Sequence, residues 1–262
     1  MTPLVLFVRE AFLRFGPRCT LLECERLSRA NQTMKTKQEK IVIARKKLRE
    51  RFAAKQTSDN GSQTDSGNLG SGAPNRHGMP TCPPGQTLTT KWPVLDLGIQ
   101  PAIAVDKFRL KLYGLCHAPT TLSFDQVREF EEVRESSDFH CVTTWSRLNL
   151  NFTGVRLSDI IASADIDDKA THIMCYGADD YCTNLSLAEA LKSDVLLVYE
   201  VDGQALPPEH GGPVRMITPQ LYAWKGTKWI HAIEFMSEDR PGFWEKNGYS
   251  MTGEPWREDR YS

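Results

Sequence analysis

The sequence lacks several features that mark secreted, membrane and nucleotide-binding proteins. Its seven cysteines contain no C-x-x-C pair, which argues against a zinc-ribbon or thioredoxin-type site, and their odd number and scattered spacing argue against a secreted disulfide scaffold. No apolar run is long enough to span a bilayer, and no glycine-rich loop of the dinucleotide-binding type is present. The formal net charge of −1 provides no general attraction to nucleic acid or to an anionic membrane. We therefore expect neither a nucleic-acid partner nor a membrane span.

The first residues, MTPLVLFVREAFLRFGPRC, are only superficially like a signal peptide. Arg9 and Glu10 interrupt the apolar run, a basic start is lacking, and no small-x-small cleavage site follows. We therefore expect a cytoplasmic protein.

Three regions of different composition predict the domain organisation. Residues 1–55 are basic and have a partly helical pattern, which is typical of an N-terminal extension. Residues 56–90 are rich in Gly, Ser, Asn and Pro, and their few large apolar side chains cannot bury enough surface to offset chain entropy. This composition predicts a flexible linker. Residues 91–262 have the composition and the apolar patterning of a folded domain.

The folded region combines many short predicted strands with few short helices. Phe108, Leu110 and Leu112 alternate with other side chains in KFRLKLYG, a pattern typical of a half-buried strand. The segments HIMCYG, VLLVYEV, VRMITP and KWIHAIEF are further predicted strands, and β-branched and aromatic residues predict one buried strand over FHCVTTW. Because strands and helices do not alternate regularly, we predict an α+β fold rich in mixed β-sheet.

Local signals predict where helices begin and where two strands turn. Ser123 is followed three residues later by Gln126, the pattern of a capping box that opens a short helix. Ser186 and Glu189 have the same spacing in NLSLAEALK. Asp202-Gly203 predicts a tight turn between two strands.

Cys141 is the first residue that could carry chemistry. It lies in DFHCVTTWSRLN, with no second thiol at a redox or zinc spacing. Three roles are open on the residues alone: an inert core residue, a nucleophile, or one sulfur ligand to a metal whose other ligands come from outside the protein.

A second candidate stretch is PPEHGGPVRMITPQLYAWKGTKWIHAIEF, residues 207–235. It combines glycines, which let the backbone approach a ligand, with His210, Arg215, Lys225 and Lys228, which could cradle a phosphate or remain solvated surface. A phosphate cradle and a lone thiolate in one domain suit a cofactor that brings both phosphate and sulfur donors. The molybdenum pyranopterin is such a cofactor.

These motifs resemble a known family. HCVTTWS, HGGPVR, YAWKGTKWI and DRPGFWEKNGYSMTGEPWREDRY occur in the order found in the molybdopterin-binding domain of the sulfite oxidase family. The resemblance covers roughly residues 84–262 and is greatest to the small, single-domain bacterial oxidoreductases. It implies the sulfite-oxidase-type molybdopterin-binding fold, preceded here by a flexible N-terminal extension.

The resemblance also implies roles for individual residues. Cys141 matches the thiolate ligand of molybdenum, and Tyr181 is similar to an active-site tyrosine that would orient a substrate oxygen. The positions that match cofactor contacts are His140, Asp179, His210, Arg215, Gly226, Thr227 and Lys228. Asp179 aligns loosely because its loop is shorter here, and His140 is equally well explained as a buried histidine satisfied by hydrogen bonds under the site.

The sequence departs from the family pattern in three places. PVLDLGIQPAIAV stands where larger members carry a pterin-binding segment, and Ser146 occupies a substrate-cluster position near which Arg147 lies. No haem-binding domain or dimerisation domain is recognised. We therefore expect a separate electron acceptor or donor and a monomer or weak oligomer.

The implied function is oxygen-atom or electron transfer on a small oxyanion or sulfoxide-like substrate. Two alternatives come from other classes: a cysteine-dependent hydrolase or transferase with Cys141 as nucleophile, and a non-catalytic molybdopterin-binding module. The first of these is disfavoured because neighbouring residues of a strand point to opposite faces, so that His140 cannot serve Cys141 as a base.

Overall fold

The structure is a computed structural model that describes residues 21–59 and 69–262. The chain divides into two compact units, Met1–Lys47 with Leu97–Ile99 and Leu48–Asp96 with Gln100–Ser262. Helix α1, Leu21–Asp59, is the long helix of the predicted extension. In the first unit, Gly98 faces Lys37 and Ile41 of α1. Along the described residues, no helix combines the length and the apolar character that a membrane crossing needs.

Part of the predicted linker forms regular structure. Strands β1 (Ser71–Pro74) and β2 (Pro80–Cys82) pair as an antiparallel hairpin, and β3 (Thr87–Leu88) follows. Polar contacts help to fix the segment, since Trp256 Nε1 donates to the Pro80 carbonyl at 2.7 Å and Arg260 Nη2 donates to the Pro84 carbonyl at 3.1 Å. Residues 69–90 thus contain regular structure, residues 60–68 lie outside the described residues, and the flexible linker over 56–90 stays a prediction.

The second unit contains two mixed sheets. The strands of the first, after β3, are β6 (Glu132–Cys141), β7 (Trp145–Arg156), β10 (Leu196–Val201), β11 (Gln204–Ala205) and β12 (Arg215–Ile217). The strands of the second, in spatial order, are β5 (Thr120–Ser123), β4 (Arg109–Gly114), β13 (Ile230–Met236), β8 (His172–Gly177) and β9 (Cys182–Ser186). Only β3 with β7 and β4 with β13 pair in parallel among the named strands. The α+β prediction is thus confirmed.

Short helices complete the second unit. The α-helices are α2 (Phe124–Arg128), α3 (Leu157–Ala162) and α4 (Leu187–Ala190). The 3₁₀ turns are Val105–Lys107, Pro208–His210, Ala223–Lys225, Glu245–Asn247 and Pro255–Arg257. The predicted capping box is present, since Ser123 Oγ accepts from Gln126 N and Gln126 Oε1 accepts from Ser123 N. Ser186 caps α4 by accepting from Glu189 N.

Two apolar cores lie on opposite faces of the first sheet. In β10, Leu197 and Tyr199 belong to the larger core, which also contains side chains of the second sheet and of α3. Leu196 and Val198, which alternate with them, belong to a smaller core against which Trp92 packs. The candidate site is therefore built on the face of the first sheet that carries the smaller core.

The structure corrects the predicted single strand over FHCVTTW. β6 ends at Cys141 and β7 begins at Trp145, so this segment is the turn of a hairpin in which Cys141 pairs with Trp145. Thr144 has a φ of 72° and its N–H donates to the Cys141 carbonyl at 3.1 Å. The high β-propensity of the turn residues concealed the reversal.

Candidate functional site

Three basic side chains meet where β12 begins, and we call His210, Arg215 and Lys228 the basic cluster. Gly211 permits this approach, because a Cβ at that position would lie 2.8 Å from Lys228 Cβ and 3.1 Å from Arg215 Cβ. Arg215 Nη1 donates to the His210 carbonyl at 3.0 Å, and Lys228 Nζ donates to the Glu209 carbonyl at 2.9 Å. The cluster is therefore held by main-chain oxygens.

Trp92 is the platform of the basic cluster. Its ring stacks on the His210 ring with centroids 3.8 Å apart and an interplanar angle of 7°. The Arg215 guanidinium lies 5.7 Å from the Trp92 centroid and 5.2 Å from that of Phe139. These aromatic faces screen the cluster from water while leaving the guanidinium charged.

Burial and mutual repulsion perturb the cluster. Burial, reinforced by the Arg215 and Lys228 charges, lowers the pKa of His210 to about 4. Burial lowers the pKa of Arg215 to about 10, and burial together with the Arg215 charge lowers the pKa of Lys228 to about 8. Asp96 lies near, with its Oδ2 4.0 Å from Lys228 Nζ. Cations destabilised in this way favour a bound anion.

Lys225 does not belong to the basic cluster, although the sequence grouped it with the possible phosphate cradle. It is 1% exposed, and its Nζ donates to Asn184 Oδ1 and to Glu245 Oε1, both at 2.8 Å. Trp224 Nε1 also donates to Glu245 Oε1, at 3.1 Å. Lys225 is therefore part of a buried ion pair that fixes the Ala223–Lys225 turn.

His140 extends the site to the end of β6. It lines one pocket with Arg215, Thr218, Ala223 and Gly226. Its Nδ1 forms a 2.8 Å hydrogen bond with Ser146 Oγ, and burial lowers its pKa to about 4, so that the ring is neutral at pH 7. The structure thus brings His140 together with Arg215 and Gly226 and also supplies the buried hydrogen bond that was its alternative explanation.

Cys141 follows His140 at the mouth of the hairpin turn. The side chain is 6% exposed, and its Sγ lies 3.1 Å from Thr143 Oγ1. Gln86 Nε2 donates to the Cys141 carbonyl at 3.0 Å. Cys141 is not among the residues that line the pocket; it follows His140, which is, on a turn with defined backbone contacts.

Asp179 and Tyr181 lie on the turn between β8 and β9. Asp179 is buried and its Oδ1 accepts from Tyr181 N at 3.3 Å; burial raises its pKa to about 6, although the Lys228 charge opposes the rise. The Tyr181 hydroxyl donates to the Trp224 carbonyl, and burial and the Glu245 charge raise the pKa of Tyr181 well above its usual value. Asp179 thus joins the Lys228 side of the site, whereas the Tyr181 hydroxyl has an internal partner.

Among the buried polar side-chain atoms of the described residues that have no hydrogen-bond partner are His140 Nε2 and Thr218 Oγ1, which line the pocket, and Thr227 Oγ1, on the residue after Gly226. Buried polar groups are nearly always paired, so three orphans beside one basic cluster fit a polar, anionic ligand at this place. Packing within the protein requires glycine at position 226, because a Cβ there would lie 2.7 Å from the Met216 carbonyl oxygen.

Sequence reasoning missed Trp92, Thr218 and Arg260. Trp92 stands just before the segment that was noted only for its lost family contacts, and its role depends on His210, which lies far away in the chain. Arg260 is fully buried and its Nη1 donates to the Val142 carbonyl at 2.8 Å. The signal for Arg260 was its place in the last of the four motifs.

The chain is similar to known proteins in sequence and in fold. The family described as oxidoreductase molybdopterin binding domain matches residues 97–244. The chain is 42% identical over 181 residues to the uncharacterized oxidoreductase YuiH of Bacillus subtilis, covering 69% of this chain and 91% of that protein.

Two further relatives are matched over smaller shares of their length. The putative protein-methionine-sulfoxide reductase subunit YedZ1 of Azospira oryzae is 32% identical over 149 residues, covering 56% of this chain and 55% of that protein. Mitochondrial sulfite oxidase of Mus musculus is 32% identical over 108 residues, covering 37% of this chain and 20% of that protein.

Among solved structures, the sulfane dehydrogenase SoxCD from Paracoccus pantotrophus is similar, with a TM-score of 0.50 and 20% sequence identity. The match covers 53% of this chain and 40% of that chain. At this identity the likeness establishes a shared fold.

Proposed function

The chain belongs to the family of oxidoreductases with a molybdopterin-binding domain, and on that premise we propose that it moves an oxygen atom or electrons to or from a small oxyanion or a sulfoxide-like substrate. Membership of this family confirms the sulfite-oxidase-like fold and the molybdenum cofactor that the sequence motifs implied. The substrate class goes beyond what membership of the family establishes. It is supported by the relatives named for sulfite and for protein methionine sulfoxide.

The observation that carries the site assignment is the basic cluster beside unpaired buried donors. Arg215 and Lys228 would hold the anionic end of the cofactor, as charged donors at fixed positions. His210 is neutral at pH 7, so its stacked ring would contribute a donor or acceptor without adding a third charge. Thr227 and Gly226 would supply a hydroxyl and a close main-chain approach.

Cys141 is the proposed thiolate ligand of the metal. When bound, the molybdenum cofactor supplies the two-electron redox chemistry. The protein orients the thiol through the hairpin turn and shapes the pocket with His140 and Arg215. Tyr181 would orient a substrate oxygen only by exchanging its hydrogen bond with the Trp224 carbonyl, and Asp179 would act through its position beside Lys228.

Electron transfer would use a separate donor or acceptor protein or small molecule. The cytoplasmic location and the monomeric or weakly oligomeric state expected from the sequence are parts of the same proposal. Size-exclusion chromatography with light scattering tests the second of these directly.

The first prediction concerns metal content and Cys141. Protein purified from a host that makes the cofactor is expected to contain about one molybdenum per chain, and Cys141→Ser is expected to lose turnover while keeping its fold, because an alcohol is a much weaker ligand than a thiolate. Elemental mass spectrometry and circular dichroism measure both. Cys175→Ser is the matched control, since Cys175 is a core residue on β8.

Other outcomes would favour the other two functions. Molybdenum-free protein in which Cys141 is alkylated rapidly would favour the cysteine-dependent hydrolase or transferase. Loaded protein that turns over neither sulfite with an artificial electron acceptor nor sulfoxides with an artificial donor would favour a non-catalytic binding module.

A further inference from the structure

The last motif of the sequence, which the proposed function leaves without a role, surrounds Cys141. The 3₁₀ turn Pro255–Arg257 places Trp256 against the preceding residue, with the His140 and Trp256 ring centroids 5.1 Å apart and nearly perpendicular. Arg260 Nη1 donates at 2.8 Å to the carbonyl of Val142, the following residue. The C-terminal segment therefore contacts the chain on both sides of Cys141.

A third contact acts on Cys141 itself. Gln86 Nε2 donates to the Cys141 carbonyl at 3.0 Å, and Thr87 N donates to the Thr144 carbonyl at 2.9 Å. Arg260 also contacts the segment before β3, because its Nη2 donates to the Pro84 carbonyl at 3.1 Å. One guanidinium thus links the segment before β3 to the turn that carries the thiol.

The contact is costly to make, which argues that its geometry is strongly specified. Arg260 is 0% exposed, and a buried guanidinium needs acceptors and a countercharge; Nη1 and Nη2 donate to main-chain carbonyls, and Glu258 Oε1 lies 3.8 Å from Nη2. The guanidinium carbon of Arg260 lies 4.8 Å from the Tyr222 ring centroid, so an aromatic face covers it. Gly85, with a φ of +66°, makes room, since a Cβ there would lie 3.2 Å from Arg260 Nη2.

The segment that carries Arg260 is itself held in place. Asp259 Oδ2 accepts from the Thr252 hydroxyl, from Gly253 N at 2.9 Å and from Glu254 N at 3.4 Å. Trp256 Nε1 donates to the Pro80 carbonyl at 2.7 Å. The turn from which Arg260 contacts Val142 is therefore held by its own hydrogen bonds.

We propose that Arg260 is a positioning residue that, with Gln86, fixes the Cys141–Trp145 turn and thereby the direction of the Cys141 sulfur toward the cofactor. The inference rests on the proposed function, in which Cys141 is the thiolate ligand. Removal of groups that orient a metal ligand typically changes metal affinity or activity roughly 10- to 100-fold.

The test compares four variants of the full chain, purified with cofactor: Arg260→Met, Arg260→Lys, Gln86→Leu and Arg257→Met. Arg257 lies in the same turn and is 76% exposed at its side chain, so its variant is the matched control. For Arg260→Met we expect turnover roughly 10- to 100-fold lower and a shifted thiolate-to-molybdenum charge-transfer band. Arg260→Lys keeps one donor and is expected to restore part of both, and Arg257→Met is expected to match the wild type.

A second readout does not need the metal. Iodoacetamide alkylation of Cys141 in cofactor-free protein, followed by peptide mass spectrometry, is expected to be roughly tenfold faster in Arg260→Met, because a released turn exposes the thiol.

Unchanged alkylation, band and turnover beside a lower melting temperature would overturn the inference in favour of a purely structural arginine. If Arg260→Met does not fold, Arg260→Lys and Gln86→Leu decide by the same criteria. Molybdenum-free wild type would overturn the proposed function, while the alkylation rates would still decide whether Arg260 holds the turn.

Discussion

At the scale of single residues, the site is a set of groups whose ordinary charge states have been made unfavourable. Lys228 shows this most clearly, because burial and the Arg215 cation lower its pKa to about 8. A bound anion would reverse that shift by favouring the ammonium form. An anion bound there, as proposed, would therefore stabilise the charged form of Lys228.

This predicts a pH dependence of anion binding. In cofactor-free protein, the affinity for inorganic phosphate is expected to fall as pH rises above about 8, where the free Lys228 amine loses its proton. Lys228→Gln is expected to bind roughly tenfold more weakly at pH 7, about 1.4 kcal/mol, and to lose this pH dependence. Isothermal titration calorimetry measures both.

Lys228→Arg is the matched control. Its guanidinium stays charged through this range, so its phosphate affinity is expected to remain level from about pH 8 to 9, below the pKa of about 10 of Arg215. A Lys228→Gln variant with the wild-type pH profile would place the titrating group elsewhere in the cluster.

Residue identity alone could not indicate which side chains would meet. The motifs located Cys141, His210 and Arg215, because their residue types carry recognisable chemistry. Trp92 and Arg260 act through contacts with residues distant in the sequence, His210 for one and Val142 for the other. No local pattern encodes such a pairing.

At the scale of elements, local signals were reliable where one physical rule governs the backbone. The capping box at Ser123 is confirmed, and so is the Asp202-Gly203 turn, where both residues have positive φ between β10 and β11. The turn after Cys141 was missed because Val142, Thr143 and Thr144 all favour strands. There, tertiary contacts decide the conformation.

Close packing of β7 on β10 predicts the cost of one small substitution. A Cβ at Gly154 would lie 2.2 Å from the Leu197 carbonyl oxygen and 2.8 Å from Val198 Cα. Because both are main-chain atoms, the strands must separate, and Gly154→Ala is expected to lower the free energy of unfolding by about 2–3 kcal/mol. Urea denaturation monitored by circular dichroism measures this.

Gly203→Ala serves as the comparison. A Cβ there meets nothing within 4 Å, so only the positive φ of 74° is penalised, by about 1 kcal/mol. Equal stability of the two variants would mean that the sheet relaxes around the added methyl group without cost.

At the scale of the whole molecule, buried titratable groups of opposite effect set the pH dependence of stability. His140 has its pKa lowered by burial to about 4, so the unfolded chain binds a proton first and stability falls as pH drops from 6.5 to 4. Asp179 has its pKa raised by burial to about 6, so the folded chain binds a proton first and stability rises as pH drops through 6. His210 acts in the same direction as His140.

Removing the carboxylate should therefore steepen acid destabilisation. We expect cofactor-free Asp179→Asn to lose more stability than the wild type between pH 6.5 and 4, by up to about 3 kcal/mol, which is the contribution of a two-unit shift. Urea titrations at four pH values measure the difference. Parallel profiles of the two proteins would show that Asp179 does not titrate in this window.

Composition and motif order were sufficient for the fold class and the family, because both depend on patterns spread over many residues. They did not indicate the strands within residues 69–90, where Trp256 and Arg260, distant in the sequence, donate hydrogen bonds. The predicted domain boundaries at 55, 56, 90 and 91 stay a prediction, with α1 extending to Asp59 and β1 to β3 lying before residue 91.

The position of Arg260 near the end of the sequence sets when its contact with Val142 can form during synthesis. Val142 and Arg260 are 118 residues apart, which a ribosome translates in about 10 s. Throughout that interval the emerging chain already has its thiol but lacks the guanidinium that faces Val142. Under the proposed function, cofactor insertion into a pocket that includes the Arg260 contact would follow the translation of residue 260.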